Sequence, residues 1–325
     1  MEVTFKVYRG EGQDGKPSYQ SYPLEVPPES TVMEGLVQIR EEQDGSLAFR
    51  GGCYRGFCGD CSLRVNRKGV VSCLVPIGSI EKDGELLIEP VRNVDTVKDL
   101  VYDMDRLLWD KFEKVQPWLQ PREDWPEAIA DEELAPVRLA MRCTMCGFCD
   151  EGCTVIDVDR DFIGPAALTK AFRFVFDPRD KAAPERLAGI SEREGLWDCV
   201  HCFEASEHCP MAIDPTYRIM ELRDVAIRHG IKSGKGNQKN ARHYDSFASS
   251  VRRTGWLDER RLALESEGFI GYLTMLPTGL KAIQRGKAPL RHRNRPSAGA
   301  VGRIFEKQDR KAAAARKNGK EGKQK

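Results

Sequence analysis

Twelve residues decide the fold of the first part of the chain: Arg50–Cys61, with the sequence RGGCYRGFCGDC. Three cysteines in it are spaced C-x4-C-x2-C, and a fourth follows after eleven more residues; they are Cys53, Cys58, Cys61 and Cys73. This is the plant-type spacing for a [2Fe–2S] cluster, in which four thiolates hold two irons. The four glycines of the stretch let the backbone fold closely around the sulfurs and direct N–H groups at them. We therefore predict a [2Fe–2S] site at these four cysteines.

The flanking sequence predicts a small α+β domain around this loop. Residues Thr31-Val32-Met33-Glu34 form a capping box that should begin a helix ending near Glu41. Alternating apolar and polar residues predict strands on both sides of it. These strands are Val3–Tyr8, Tyr19–Val26 after a turn containing Gly10, Gly12 and Gly15, Ser62–Val75 with a turn near Lys68-Gly69, and Glu85–Glu89.

Two further cysteine groups follow. Residues 143–153, CTMCGFCDEGC, match the bacterial ferredoxin run, and residues 199–210, CVHCFEASEHCP, repeat it with Ala205 in the third position. In two-cluster ferredoxins the fourth cysteine of each run ligates the other cluster. Cross-ligation predicts a [4Fe–4S] site at Cys143, Cys146, Cys149 and Cys209. It leaves Cys153, Cys199 and Cys202, and three thiolates suit a [3Fe–4S] cluster.

Several alternatives stay open for these groups. One alternative is a zinc site from Cys143, Cys146, Cys199 and Cys202, which leaves other cysteines without a role. A carboxylate of Glu204 or Glu207 could complete a fourth iron site at the three-cysteine group. The imidazoles of His201 and His208 stand beside cluster cysteines, where they could hydrogen-bond a sulfide or a quinone or simply be polar loop residues.

Composition places the chain among globular proteins with a charged tail. Its 325 residues, 40% hydrophobic and 31% charged, suffice for two or three domains. Residues 281–325 hold fifteen Lys or Arg against three acids, net +12, which leaves 36 basic and 47 acidic residues, net −11, in residues 1–280. We expect disorder over most of the tail after Pro289, which is either solvated or docked on an anionic surface. No secretory signal or spanning helix is apparent, so we expect reduced thiols in the cytosol.

Helical spacing of apolar residues dominates after residue 96. The predicted helices are Val97–Lys114, Asp131–Arg142, Pro165–Phe176, Pro215–His229, Ala241–Arg253 and Asp258–Glu267. No Ser/His/Asp arrangement, P-loop or G-x-G-x-x-G motif is apparent, so we name no catalytic residue. We expect a partner protein to carry out any reaction on a carbon substrate.

With its three cysteine groups in this order, the chain resembles the iron–sulfur subunits of succinate dehydrogenases and fumarate reductases over roughly residues 3–230. Short motifs similar to those of this family occur at Asp44–Arg50, Ile88-Glu89-Pro90, Val97–Met104, Gln116–Leu119 and Cys209–Pro215. From about Lys235 to Lys287 it is similar, more weakly, to subunits of the heterodisulfide-reductase type and of thiol-dependent fumarate reductases. The chain departs from the first family at Cys202, which is present here, and after Cys153, where Thr154 replaces the usual proline.

The resemblance implies an architecture and a function. It implies a plant-type ferredoxin (β-grasp) domain at 1–105, an α-helical two-cluster ferredoxin domain at 106–230, a helical extension at 231–288 and a basic tail at 289–325. The function implied is electron transfer between the FAD of a flavoprotein subunit and a quinone at membrane-anchor subunits, on the cytoplasmic face of the cell membrane, with no nucleic-acid partner. The alternative is a thiol- or heterodisulfide-linked fumarate reductase subunit.

Overall fold

The computed structural model describes residues 1–10, 18–124, 128–231, 238–287 and 292–321. The chain divides into two compact units, Met1–Gly234 and Lys235–Lys325. Gly12 and Gly15 of the predicted turn lie outside the described residues.

The first unit begins with a five-stranded sheet. Its strands are β1 Glu2–Arg9, β2 Ser18–Glu25, β3 Ser62–Val65, β4 Lys68–Val71 and β5 Glu85–Glu89. They lie in the order β2-β1-β5-β3-β4, and β1 runs parallel to β5 while the other pairs are antiparallel. The alternation seen in the sequence places Phe5 and Val7 of β1 in the core with Leu86 and Ile88 of β5.

One helix, α1 Val32–Glu42, begins at the predicted capping box. The Thr31 side chain accepts from the Glu34 backbone N–H, and the Glu34 carboxylate accepts from the Thr31 N–H. Leu36 and Ile39 of this helix are fully buried. The cysteine loop therefore follows a capped and partly buried helix and precedes the paired strands β3 and β4.

The helix predicted from Val97 is wrong over its first half. Two short antiparallel strands stand there instead, β6 Thr96–Lys98 and β7 Val101–Tyr102, and helical structure begins only with a π-helical turn at Asp105–Trp109 and α2 Asp110–Lys114. The reason is a set of long-range hydrogen bonds at Asp99. Its buried carboxylate accepts from Arg9 and from the Ala48 N–H, and its own N–H donates to the Gly10 carbonyl. These bonds hold the backbone at a φ of 48°, which ends any helix there.

The rest of the first unit is helical. Its helices are α3 Asp131–Arg138, α4 Phe148–Glu151, α5 Thr154–Val158, α6 Gly164–Val175, α7 Ala183–Ile190, α8 Glu204–Glu207 and α9 Pro215–Arg228. The central helix α6 is buried along most of its length, including Leu168 and Phe172, and packs against α9. The short helices α4 and α8 each follow a pair of cysteines, so they fix the directions in which the cysteine loops turn.

The second unit contains α10 Gln238–Thr254, α11 Glu259–Gln284 and α12 Ala298–Glu321. The prediction of disorder after Pro289 is wrong for α12, which packs against α10. Ala298, Val301 and Phe305 recur at helical spacing, and Arg252 of α10 lies over the Phe305 ring and pairs with Asp309 at 2.8 Å. Among the described residues no helix has both the length and the apolar character that crossing a bilayer requires.

Candidate iron–sulfur sites

The first cysteine loop directs backbone N–H groups at sulfur. Sγ of Cys53 accepts from the N–H groups of Arg55 at 3.3 Å, Phe57 at 3.2 Å and Cys58 at 3.4 Å. These bonds lower the pKa of Cys53 to about 6, because N–H donors stabilise the thiolate. The loop thus favours the thiolate, the form that binds metal.

The other cysteines of this group converge on the same loop. Sγ of Cys58 accepts from the Cys53 N–H at 3.4 Å, and Sγ of Cys73 accepts from the Gly56 N–H at 3.2 Å. Cys73 also lies beside Cys61, and burial raises the pKa of Cys73 to about 11. Buried thiols without nearby positive charge hold their protons until a metal supplies that charge. Four thiols, three of which accept backbone N–H bonds, are a donor set that fits a [2Fe–2S] cluster.

The second group surrounds one cavity. Cys143, Cys146, Cys149 and Cys209 line it together, and the remaining lining residues include no charged side chain. Burial raises the pKa of Cys146 to about 11 and that of Cys149 well above its ordinary value. The structure thus brings Cys209, from residues 199–210, close to three cysteines from residues 143–153. A cavity between four thiols that has no charged lining residue fits a cubane cluster, whose iron supplies positive charge.

The third site combines Cys153, from residues 143–153, with Cys199 and Cys202, from residues 199–210. Cys153 is buried, Cys199 is partly exposed and Cys202 is exposed. Cys199 lies within electrostatic range of both Cys153 and Cys202, and the Thr154 hydroxyl donates to Sγ of Cys202 at 3.3 Å. Ala205, in the position of the absent cysteine, is buried. Three thiols and one methyl group at this place fit a cluster with three protein ligands.

The alternative zinc site is not supported by this arrangement. Cys143 and Cys146 line their cavity with Cys149 and Cys209 rather than with the cysteines at 199 and 202. Among the described residues no three Cys, His, Asp or Glu side chains lie close enough to bind a single metal ion. A zinc ion needs each sulfur about 2.3 Å from one point, whereas the thiolates of a cluster bind different irons.

The polar residues near the third group have other contacts. The Glu204 carboxylate lies 3.8 Å from Nδ1 of His208, which is also 2.8 Å from the Glu204 carbonyl oxygen, and Glu207 is exposed. Burial lowers the pKa of His201 to about 4, so its imidazole is neutral at pH 7.

Comparisons with known proteins agree with these sites. The chain matches the model of a 2Fe-2S iron-sulfur cluster binding domain over residues 4–109 and that of a 4Fe-4S dicluster domain over residues 140–213. It is 32% identical over 237 residues to the fumarate reductase iron-sulfur subunit of Mycobacterium tuberculosis (strain CDC 1551 / Oshkosh), covering 71% of this chain and 94% of the relative. The chain belongs to the family of succinate dehydrogenase and fumarate reductase iron–sulfur subunits.

Two further relatives agree with this membership of the iron–sulfur subunit family. The mitochondrial succinate dehydrogenase [ubiquinone] iron-sulfur subunit 1 of Oryza sativa subsp. japonica is 29% identical over 235 residues, covering 69% of this chain and 82% of the relative. A chain of the Mycobacterium smegmatis Sdh1 complex in the apo form has the same fold, with a TM-score of 0.61 and 23% identity over 70% of this chain and 96% of that one. The predicted α+β fold class, a ferredoxin-like domain followed by a helical one, is confirmed.

In this iron–sulfur subunit the first two cysteine loops touch through Gly59. The residue has a φ of +73°, and a Cβ built on it would lie 2.9 Å from the backbone nitrogen of Cys146 and closer still to the Thr144 carbonyl oxygen. Only glycine allows this approach. The [2Fe–2S] loop and the loop of the second site are therefore in backbone contact.

Two adjacent acidic residues of α4 bind basic side chains, Asp150 within the helical domain and Glu151 across to the first domain. Asp150 is fully buried and accepts from Lys111 at 3.0 Å and from the Ala166 N–H at 2.8 Å. The carboxylate of the next residue, Glu151, lies 3.3 Å from Arg64 and 2.9 Å from Arg92. Burial raises the pKa of Asp150, and Lys111 opposes that shift.

Asp150, Glu151 and Arg223 are not among the residues predicted from the sequence. The Arg223 guanidinium is buried and donates to the carbonyls of Leu196 at 2.8 Å and Cys199 at 2.7 Å. It thus fixes the backbone that presents Cys199. The one available sign was a charged residue on the apolar face of a helical segment, which does not reveal its partners.

Proposed function

We propose that this subunit passes single electrons between the FAD of a flavoprotein partner and a quinone at membrane-anchor subunits, within a succinate:quinone oxidoreductase on the cytoplasmic face of the cell membrane. The observation that carries the proposal is the backbone contact of Gly59 with Thr144 and Cys146, because it joins two cysteine sites into one path. When bound, iron–sulfur clusters supply one-electron transfer, which the side chains of this chain do not. The protein's own contribution is to hold the thiolates, exclude water and fix the spacing of the sites.

We assign three ligand sets within this proposal. Cys53, Cys58, Cys61 and Cys73 hold the [2Fe–2S] cluster, and Cys143, Cys146, Cys149 and Cys209 hold the [4Fe–4S] cluster. Cys153, Cys199 and Cys202 hold a [3Fe–4S] cluster. The buried Ala205 and the contact of Glu204 with His208 support three rather than four protein ligands at the last site. We place the domain boundaries near residues 105 and 230.

The flavoprotein should dock on the face that carries the first loop. Phe57 is 75% exposed there, and Tyr54 and Leu74 are each about half exposed. Exposed apolar side chains grouped on one face are typical of a protein interface. Docking there places the partner's flavin next to the first of the three sites.

Iron analysis and low-temperature EPR of the purified complex test the ligand sets. We expect about nine irons per chain, from two, four and three in the respective clusters. The EPR spectra should contain a [2Fe–2S] signal after reduction and a [3Fe–4S] signal in the oxidised protein. Abundant zinc, or the absence of a [2Fe–2S] signal, contradicts the assignment.

The variant Cys58→Ser tests whether electrons pass through the first site. It should impair succinate or fumarate turnover with quinones while the partner keeps its flavin, because the first site lies between the flavin and the rest of the chain. Full quinone activity of the flavoprotein without this chain contradicts electron transfer through it. Assays of the complex with quinols against thiols separate this function from a thiol-linked fumarate reductase.

A further inference from the structure

The C-terminal unit carries an uncharged apolar helix segment with an exposed face. Helix α11 is interrupted at Gly268, where φ is 74° and ψ is 178°, and continues to Gln284. No charged residue occurs from Gly268 to Leu280. Phe269 and Ile270 are 70% and 79% exposed, and Leu273 and Leu280 are 46% and 58% exposed. Side chains of this size are rarely left in water in such a group.

The flank of this exposed face is also apolar. Tyr272, Leu276 and Ile283, with Leu280 from the exposed face, line a cleft of about 420 Å³ together with Trp256. The apolar surface of the segment is therefore broad. A helix of this kind belongs in apolar surroundings, and the exposed side has none within this unit.

The charges that follow the segment in the sequence have one sign, whereas Glu267 precedes it and Asp258 and Glu259 line its cleft. Between Glu267 and Glu306 the sequence contains seven basic residues and no acidic one; the basic residues are Lys281, Arg285, Lys287, Arg291, Arg293, Arg295 and Arg303. Lys281, Arg285 and Lys287 follow the apolar segment directly and are exposed. In the part of the chain that the structure describes, no carboxylate forms an ion pair with any of these three.

We propose that the segment Phe269–Gln284 lies in the plane of an anionic lipid bilayer, with its exposed face at the boundary between headgroups and acyl chains. The segment is about 24 Å long at 1.5 Å per residue and fits such a position without crossing the bilayer. An anionic bilayer supplies both acyl chains for Phe269, Ile270 and Leu273 and negative charge for the three basic residues at the end. A purely apolar protein surface leaves those charges unpartnered, so lipid matches the observations better.

Vesicle binding of the purified full-length chain tests this directly. The probes are vesicles of phosphatidylcholine with about 30% phosphatidylglycerol and vesicles of phosphatidylcholine alone, and flotation measures the bound fraction at several salt concentrations. The readout does not involve electron transfer, so its failure leaves the proposed function untouched. Circular dichroism and the iron–sulfur absorption of each variant show that the chain is folded.

Two variants and one matched control decide the outcome. Replacing Lys281, Arg285 and Lys287 by Gln should weaken binding to the anionic vesicles about 100-fold, since each basic residue near such a surface contributes about fivefold. Leu273→Gln should weaken it at least tenfold by removing buried apolar area. The neighbouring Thr274→Gln, exposed and already polar, should leave binding unchanged.

Three results overturn the proposal. The first is no binding of the wild-type chain to anionic vesicles, as expected if a protein partner or a second copy covers the segment. The second is equal binding of Leu273→Gln and Thr274→Gln, which means that only charge acts. The third is equal binding to both kinds of vesicle.

Discussion

Gly59→Ala tests the contact between the first two cysteine loops. The new Cβ would lie 2.9 Å from the nitrogen and 3.0 Å from the Cα of Cys146, and nearer to the Thr144 carbonyl oxygen. All three are backbone atoms, so no side-chain rotation can relieve the overlap. The loops must move apart, and alanine must also adopt the φ of +73°.

The cost has two parts. A left-handed φ in a non-glycine residue costs about 1–2 kcal/mol, and overpacking at a tight contact costs about 1–3 kcal/mol more. The free energy of unfolding should therefore fall by about 2–5 kcal/mol. For a unit of this size that corresponds to a melting temperature lower by roughly 5–15 °C.

Gly84→Ala is the matched control. Gly84 has a φ of +76°, but nothing lies within 4 Å of a Cβ built on it. This variant carries the backbone strain without the overlap, so its melting temperature should fall by only a few degrees. The difference between the two variants measures the contact itself.

The assay is thermal unfolding of both variants, followed by circular dichroism, together with EPR of the reduced protein. Gly59→Ala should weaken the magnetic interaction between the first two clusters, because it separates the loops that hold them, and Gly84→Ala should leave it unchanged. Equal melting temperatures and equal EPR spectra for the two variants refute the close approach of the loops.

Three further changes test other parts of the first unit. Lys111→Met should lower the free energy of unfolding by about 3–5 kcal/mol, because it leaves the Asp150 carboxylate buried without its ammonium partner; adding Asp150→Asn should restore most of the loss in urea unfolding. Arg186→Lys should cost about 2–4 kcal/mol in the same measurement, since lysine cannot replace the guanidinium donors to the carbonyls of Val115 and Trp118; a loss below 1 kcal/mol contradicts this role. Ala205→Cys should raise the iron content from about nine to about ten per chain and remove the oxidised [3Fe–4S] EPR signal, because it supplies the absent thiolate; an unchanged signal contradicts the three-ligand assignment.

The sequence by itself determined the kind of protein and the residues to examine. Cluster ligands lie close together on short loops, so their spacing in the sequence predicts the type of cluster they bind, as at Cys53, Cys58 and Cys61. The capping box at Thr31 and Glu34 and the alternation in β1 are equally local, and the structure has both. Family membership followed from the order of the three cysteine groups and is confirmed by the relatives.

Contacts between residues far apart in the sequence were decided only by the tertiary structure. The apolar residues after Val97 fit a helix, but the hydrogen bonds that Arg9 and the Ala48 N–H donate to the Asp99 carboxylate impose strands instead. The charged tail after Pro289 suggests disorder, yet α12 packs against α10, with Arg252 over the Phe305 ring, a contact that composition does not reveal.

The same limit applies to the spacing between the sites. Nothing near Gly59 in the sequence indicates that its missing side chain makes room for the backbone at Thr144 and Cys146, about 85 residues further along. The sequence of a loop determines which atoms can bind a cluster, because the ligands are side chains of that same loop. The distance between two such loops depends on how whole domains pack, and that is a property of the tertiary structure alone.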